Sequence, residues 1–176
     1  NDFVSPSFLE LSKPNDRLIV INSASKSFNM TGWRIGWITH PEELGSHIAK
    51  LVQITTTGVP EFLQNGLVSA LENHKTITHE LRKNLKKSRD IMFDRLVNWN
   101  QVECSIPDAA FYAFFKVKGI NDSLDFAKKL ILETNVGVAP GVAFGASGEG
   151  HLRICFAAKE TFIIEIMDRL EPALNK

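Results

Sequence analysis

The longest regular pattern in the sequence runs from Thr76 to Trp99. Its apolar side chains recur at helical spacing and form one stripe, made of Ile77, Leu81, Leu85, Met92 and Leu96. The pattern predicts a single long helix that crosses between two domains. We therefore expect one domain in residues 1–75, an interdomain helix in residues 76–99 and a second domain in residues 100–176.

The first of these domains combines short strands with helices. Residues 17–21 are an apolar run rich in β-branched side chains, which is typical of a strand buried on both faces. Small polar residues follow in a predicted loop at 22–27, and residues 33–38 predict a second strand. Two amphipathic helices are expected after Pro41 and Pro60. This order of elements predicts an α/β layer.

The second domain is predicted to be a small α+β layer. Strands are expected at 110–117 and 152–157, and helices at 123–133 and 160–170. In the last strand, Arg153 and Cys155 alternate with three apolar residues, Leu152, Ile154 and Phe156. Because side chains alternate across a strand, this alternation directs Arg153 away from the buried face.

The charge balance argues against two classes of partner. The 176 residues include 20 basic and 20 acidic side chains, so no overall field draws the chain to nucleic acid or to a membrane. The basic residues at 82–89 have no aromatic residues among them and predict a solvated helix face. No apolar run approaches the roughly 18 residues of a membrane span. We therefore expect a soluble, cytoplasmic protein that acts on small molecules.

Neither a metal centre nor a disulfide framework is expected. Cys104 and Cys155 are the only two cysteines, which are too few for either. The five histidines show no ligand spacing with Asp, Glu or Cys, and we interpret each as a surface or packing residue. No Ser-His-Asp arrangement stands out, which argues against a hydrolase of that type.

One lysine stands in the predicted loop where the first strand ends. Lys26 lies among small residues, at a place where α/β sheets bind ligands because helices leave the strand ends open. A lysine beside another cation can lose its proton, and the neutral amine reacts with aldehydes. Arg34 offers such a cation and a fork for phosphate, while Ser23 and Ser25 offer hydroxyls. These four residues suit a phosphorylated aldehyde, although most loop lysines are inert.

The stretch SASKSFNMTGWRIGW closely resembles the lysine segment of the class I/II aminotransferases of fold type I, whose signature is S-x-S-K followed by M-T-G-W-R-I-G. The resemblance implies pyridoxal 5'-phosphate as the cofactor, with Lys26 binding its aldehyde and Ser23, Ser25 and Arg34 binding its phosphate. It also implies the fold class, which is part of the large mixed-sheet domain plus an α+β small domain. The chain is expected to turn after Lys26 and return, so that both cations reach opposite ends of one cofactor.

Two further stretches are similar to the same family. GVAPGVAFGASGEGHLRICFA, at 137–157, resembles the C-terminal segment with P-G-x-x-F-G and G-x-x-x-x-R, which implies that Arg153 binds the substrate α-carboxylate. PDAAFYAFF, at 107–115, resembles the P-x-G-A-F-Y strand, with Ala109 where the family usually has glycine. We interpret the phenylalanines of this second stretch as core packing, at Phe111, Phe114 and Phe115.

The resemblance further implies that this chain is the C-terminal part of a longer protein. The family's glycine-rich turn, its ring-stacking aromatic residue, its Asn-Pro loop and the Asp that pairs with the pyridine nitrogen all precede the matched region. Without that Asp the ring is a poorer electron sink, so the chain alone is expected to be inactive. The missing N-terminal half, a second copy or a rearranged dimer is expected to cover the strand edges of the first domain.

The expected function of the full-length parent is transfer of an amino group between an amino acid and a 2-oxo acid, by a homodimer with active sites at its interface. Lyases and synthases of the same fold are an alternative, since the reaction depends on how the breaking bond is aligned with the ring. A non-catalytic dimerisation or interaction fragment is a second alternative. The sequence does not identify the amino donor.

Overall fold

The computed structural model describes residues 5–175, and the chain divides after His79 into two compact units. The first unit contains strands β1 (Val20–Ser23) and β2 (Gly36–Thr39) and helices α1 (Ala24–Ser27), α2 (Gly45–Thr55) and α3 (Glu61–Glu72). Helix α4 (His74–Leu96) includes the point of division. The second unit continues with β3 (Val102–Glu103), β4 (Tyr112–Val117), α5 (Ser123–Thr134), β5 (Ala139–Pro140), β6 (His151–Cys155) and α6 (Glu160–Leu174).

Strand β1 differs from the strand predicted at 17–21. It begins at Val20, because turn hydrogen bonds within residues 13–18 already use the preceding backbone groups. Within the described residues β1 pairs only with β2, in antiparallel orientation. Ile19 and Ile21 are 51% and 76% exposed. The prediction of a strand buried on both faces is therefore wrong in this structure.

The segment after β1 is helical where the sequence predicts a loop. Of the loop predicted at 22–27, Asn22 and Ser23 belong to β1. Ala24–Ser27 form a single helical turn because the Ser23 side chain caps it. The second strand, predicted at 33–38, starts only at Gly36. The reason is that residues 31–33 form a 3-10 turn that is followed by a residue in the left-handed conformation.

A small apolar core holds the first unit together. Its buried residues come from α1, from the connection to β2 and from α3: Ala24, Met30, Ile35, Leu67 and Ala70. Gly66 of α3 lies against Trp33, since a Cβ at Gly66 would stand 2.3 Å from that indole ring. Much apolar surface stays outside this core, for example Ile54 and Phe62, which are 81% and 72% exposed.

The second unit is built on a four-stranded antiparallel sheet in the order β3-β4-β6-β5. The core cluster contains side chains from one face of this sheet and from α4, α5 and α6, among them Phe93, Phe115, Phe156, Leu130 and Met167. The predicted strands and helices of this unit are confirmed, with shifts of a few residues at their ends. Strands β3 and β5 were not predicted, because each is only two residues long.

Candidate active site

Strand β1 leads directly into the turn that carries Lys26. The Ser23 hydroxyl accepts a hydrogen bond from the Ser25 amide at 3.1 Å, and it keeps its own hydrogen to donate elsewhere. The Ala24 side chain is fully buried, and its amide donates to the Ile35 carbonyl at 3.1 Å. Lys26 itself is exposed, on a backbone fixed by these contacts.

The pairing of β1 with β2 brings the backbone at Arg34 back towards the turn that carries Lys26. Ser23 lies opposite Gly36 in that pairing, so Arg34 stands two residues from the partner of Ser23. Arg34 has a left-handed backbone with φ of 52°, and its Nη1 donates to the Thr31 carbonyl at 3.0 Å. Non-glycine residues in this region carry strain and are often found at functional sites. The predicted turn and return of the chain is therefore confirmed for the backbone.

The pairing of β1 with β2 depends on the absence of a side chain at Gly36. A Cβ at this position would stand 2.3 Å from the Asn22 carbonyl oxygen. We expect Gly36→Ala to open the pairing and to destabilise the first unit by about 1–3 kcal/mol. Hydrogen exchange of the Ala24 amide measures the effect, since this amide should lose its protection. Gly32→Ala is the matched control, because nothing lies within 4 Å of a Cβ there. Equal protection in both variants would contradict this account.

Arg153 lies at the centre of the sheet of the second unit, on β6. The predicted alternation is confirmed, since Leu152 and Ile154 are buried, Arg153 is half-buried and Cys155 is exposed. Arg153 stands opposite Phe114 of β4 on one side and opposite Ala139 of β5 on the other. Its side chain therefore lies on the face of the sheet that points away from the core.

The interpretation of residues 107–115 as core needs one correction. Phe115 is buried and Phe111 packs at the edge of the core, but Phe114 is 42% exposed. The physical reason is the alternation of β4, which gives Phe115 the inward position and places Phe114 on the outer face with Arg153.

Sequence reasoning missed Glu149, which holds the loop before β6. Its Oε1 accepts hydrogen bonds from the Gly150 amide at 2.9 Å and from the Ser123 amide at 2.6 Å. These backbone donors lower the pKa of the Glu149 carboxyl below its usual value. The only available signal was an acidic residue between two glycines, which does not indicate a partner 26 residues away.

The lowered pKa of Glu149 predicts acid sensitivity in the second unit. The contribution to stability is present above the usual glutamate pKa of about 4.3 and is lost as the pH falls through the lower pKa of the folded state. We expect Glu149→Gln to be less stable than the parent at pH 6 and closer to it at pH 3. Urea unfolding at both pH values tests this. A constant stability difference between the two proteins would contradict it.

Metal chemistry finds no support in the described residues. Within residues 5–175, no group of three or more His, Cys, Asp or Glu side chains is placed to hold a metal ion. In the same range Cys104 and Cys155 are free thiols. None of the helices described for this chain is long and apolar enough to cross a membrane.

Comparison with known proteins identifies the family. The sequence model described as "Aminotransferase class I and II" matches residues 1–170. The chain belongs to the class I and II aminotransferases. It is 35% identical over 163 residues to an aspartate aminotransferase of Pyrococcus horikoshii, with 91% of this chain and 42% of that protein covered. It is 36% identical over 157 residues to a probable N-acetyl-LL-diaminopimelate aminotransferase of Bacillus subtilis, with 89% and 40% covered.

Solved aminotransferase structures share the fold. An aromatic aminotransferase from Pyrococcus horikoshii superposes with a TM-score of 0.89 at 31% identity, covering 99% of this chain and 47% of that one. An aspartate aminotransferase from Thermotoga maritima gives a TM-score of 0.83 at 32% identity, covering 97% and 44%. The predicted fold class, an α/β part of a fold type I transferase, is confirmed. The chain spans less than half the length of these relatives.

Proposed function

We propose that this chain is the C-terminal part of a pyridoxal-phosphate-dependent aminotransferase that moves an amino group between an amino acid and a 2-oxo acid. The observation that carries the proposal is the pairing of Ser23 with Gly36. It holds a hydroxyl, an amine and a guanidinium on one short paired segment, at Ser23, Lys26 and Arg34. This set of donors fits a small molecule that carries both a phosphate and an aldehyde.

Within the cofactor site, we assign Ser23, Ser25 and Arg34 to the phosphate and Lys26 to the aldehyde. A hydroxyl can donate one hydrogen bond to a phosphate oxygen, and a guanidinium can donate two in parallel. When bound, pyridoxal 5'-phosphate supplies an electron sink that stabilises negative charge at the substrate Cα. The left-handed backbone of Arg34 supports this assignment, because strain of this kind is common where a side chain must be aimed.

For the substrate, we assign the α-carboxylate to Arg153 and the proton transfer to Lys26. With the cofactor bound, the Lys26 Nζ would take the proton from the substrate Cα as general base and would then donate it, as general acid, to the carbon that was the cofactor's aldehyde carbon. The Arg153 guanidinium orients the substrate during both transfers by binding its carboxylate. The relatives are named for aspartate, diaminopimelate and aromatic amino acids, so the amino donors to test include all three.

The organisation of the whole protein follows from the same assignment. We propose that residues 1–75 belong to a cofactor-binding domain, that residues 76–99 form the interdomain helix and that residues 100–176 form the small domain. We also propose a homodimer, on the resemblance to the family. The missing N-terminal half is the proposed cover for the exposed apolar residues of the first unit, such as Ile21 and Ile54.

Product analysis of the full-length protein that contains this sequence tests the proposal. The protein is incubated with pyridoxal 5'-phosphate, a panel of amino acids and a 2-oxo acid acceptor, and the products are identified by mass spectrometry. We expect equal amounts of a new 2-oxo acid and a newly aminated acceptor. Release of ammonia or carbon dioxide without amination of the acceptor would instead show a lyase of the same fold. No product from any amino acid would indicate a non-catalytic dimerisation or interaction protein.

A further inference from the structure

Two aromatic rings contact the guanidinium of Arg153. Its Cζ lies 4.3 Å from the centroid of the Tyr112 ring and 4.1 Å from that of the Phe144 ring. Tyr112 comes from β4, on the outer face of the sheet, and Phe144 ends the 3-10 turn Gly141–Phe144. Both distances are within the range of cation–π attraction, which reaches about 6 Å.

These rings leave the hydrogen-bond donors of Arg153 available. A cation–π contact uses the face of the ring and consumes no N–H group, whereas a guanidinium carries five such donors. Within residues 5–175, Arg153 makes no ion pair and donates no side-chain hydrogen bond. A half-buried guanidinium with no anionic partner in the described part of its chain is suited to bind an anionic group of a ligand.

Phe144 is itself held in place by other contacts. Its ring meets that of Phe114 edge to face, with centroids 6.0 Å apart, and Phe114 stacks on His151 at 5.0 Å with an interplanar angle of 6°. The backbone before Phe144 is fixed as well, because a Cβ at Gly141 would stand 1.9 Å from the Gly148 carbonyl oxygen. The ring is therefore braced by its neighbours, although it is 47% exposed.

We propose that Tyr112 and Phe144 form an aromatic clamp that positions Arg153 for the carboxylate of the substrate. This inference rests on the proposed function, in which Arg153 binds that carboxylate. Arginine is a long side chain that loses much rotamer freedom when it is held in one geometry. The clamp restricts Arg153 before the substrate arrives, so less freedom is lost on binding, and it keeps water from part of the guanidinium. Tyr112 and Phe144 are thus positioning residues, and they contribute to affinity rather than to proton transfer.

The test is a kinetic comparison of clamp variants in the full-length protein with its cofactor. Phe144→Leu keeps an apolar side chain and removes the ring. We expect it to raise the KM for the amino acid by roughly 2-fold to 30-fold, with kcat changed less than about twofold. Phe144→Tyr restores the ring and is expected to restore the KM. Phe162→Leu is the matched control, because Phe162 is an exposed phenylalanine on α6, and it should leave both constants unchanged.

A parallel pair of variants keeps the test decisive if Phe144→Leu fails to fold. Tyr112→Leu should raise the KM in the same way, while Tyr112→Phe, which keeps the ring, should not. Arg153→Lys separates failure of the clamp from failure of the proposed function. If Arg153→Lys raises the KM and neither leucine variant does, the clamp is wrong and the assignment of Arg153 stands. If Arg153→Lys has no effect on the KM, the assignment of Arg153 fails, and the clamp fails with it.

Discussion

Replacing Lys26 with alanine is expected to lower the turnover of the full-length protein by at least about a thousandfold, because in the proposed mechanism Lys26 supplies both the amine that binds the aldehyde and the base that moves the Cα proton. Lys26 is exposed on the single helical turn α1 and lies outside the core of the first unit, so this change opens no cavity in that core. Loss of activity should therefore occur without a large loss of stability. Steady-state formation of the 2-oxo acid, together with a thermal unfolding curve, measures both quantities.

The control for this variant is another lysine of the same unit. Lys50 is an exposed lysine on α2, and Lys50→Ala is expected to leave turnover unchanged. Lys26→Arg keeps a positive charge but offers no neutral amine, so it should be as inactive as the alanine variant. More than a tenth of the parent activity in either Lys26 variant would show that another group moves the proton.

Replacing Arg153 with lysine is the second change with a large expected effect. The variant keeps the charge but loses the planar fork, which costs at least one charged hydrogen bond to a carboxylate. We expect the KM for the amino acid to rise by about tenfold to a hundredfold, since one such bond contributes about 1.5–3 kcal/mol. Stability should change little, because Arg153 is half-buried and makes no ion pair within residues 5–175.

An analogue without a carboxylate makes the test of Arg153 specific. The parent protein should strongly prefer an amino acid over the matching amine, and Arg153→Lys should reduce that preference. Arg169→Lys is the control, because Arg169 is paired with Glu165 on the surface of α6. If Arg153→Lys keeps the full preference for the amino acid, the carboxylate is bound elsewhere.

Sequence periodicity predicts the second unit better than the first. The amphipathic pattern of α5 and α6 and the alternation in β6 survive in the structure because those elements pack on one shared core. In the first unit, β1 was expected to be buried because of its composition, but burial depends on neighbours that the pattern of one strand does not reveal. The exposed Ile21 shows this most clearly.

The candidate site also divides into parts that a sequence can and cannot predict. The motif indicates Lys26 and Arg34 directly, and the alternation of β6 indicates which way Arg153 points. The left-handed backbone of Arg34 leaves no mark in a pattern of apolar residues. The contact of Phe144 with Arg153 depends on a loop closed by Gly141 and Gly148, so it appears only in three dimensions.

The most direct test of the account is to map the lysine that binds pyridoxal 5'-phosphate. The full-length protein is incubated with the cofactor and reduced with borohydride, which traps the bond between a lysine amine and the aldehyde, and the labelled peptide is identified by mass spectrometry. We predict a pyridoxyl group on Lys26 alone, and no label in Lys26→Arg. Labelling that spreads over many surface lysines, or that persists at another lysine when Lys26 is replaced, would contradict it.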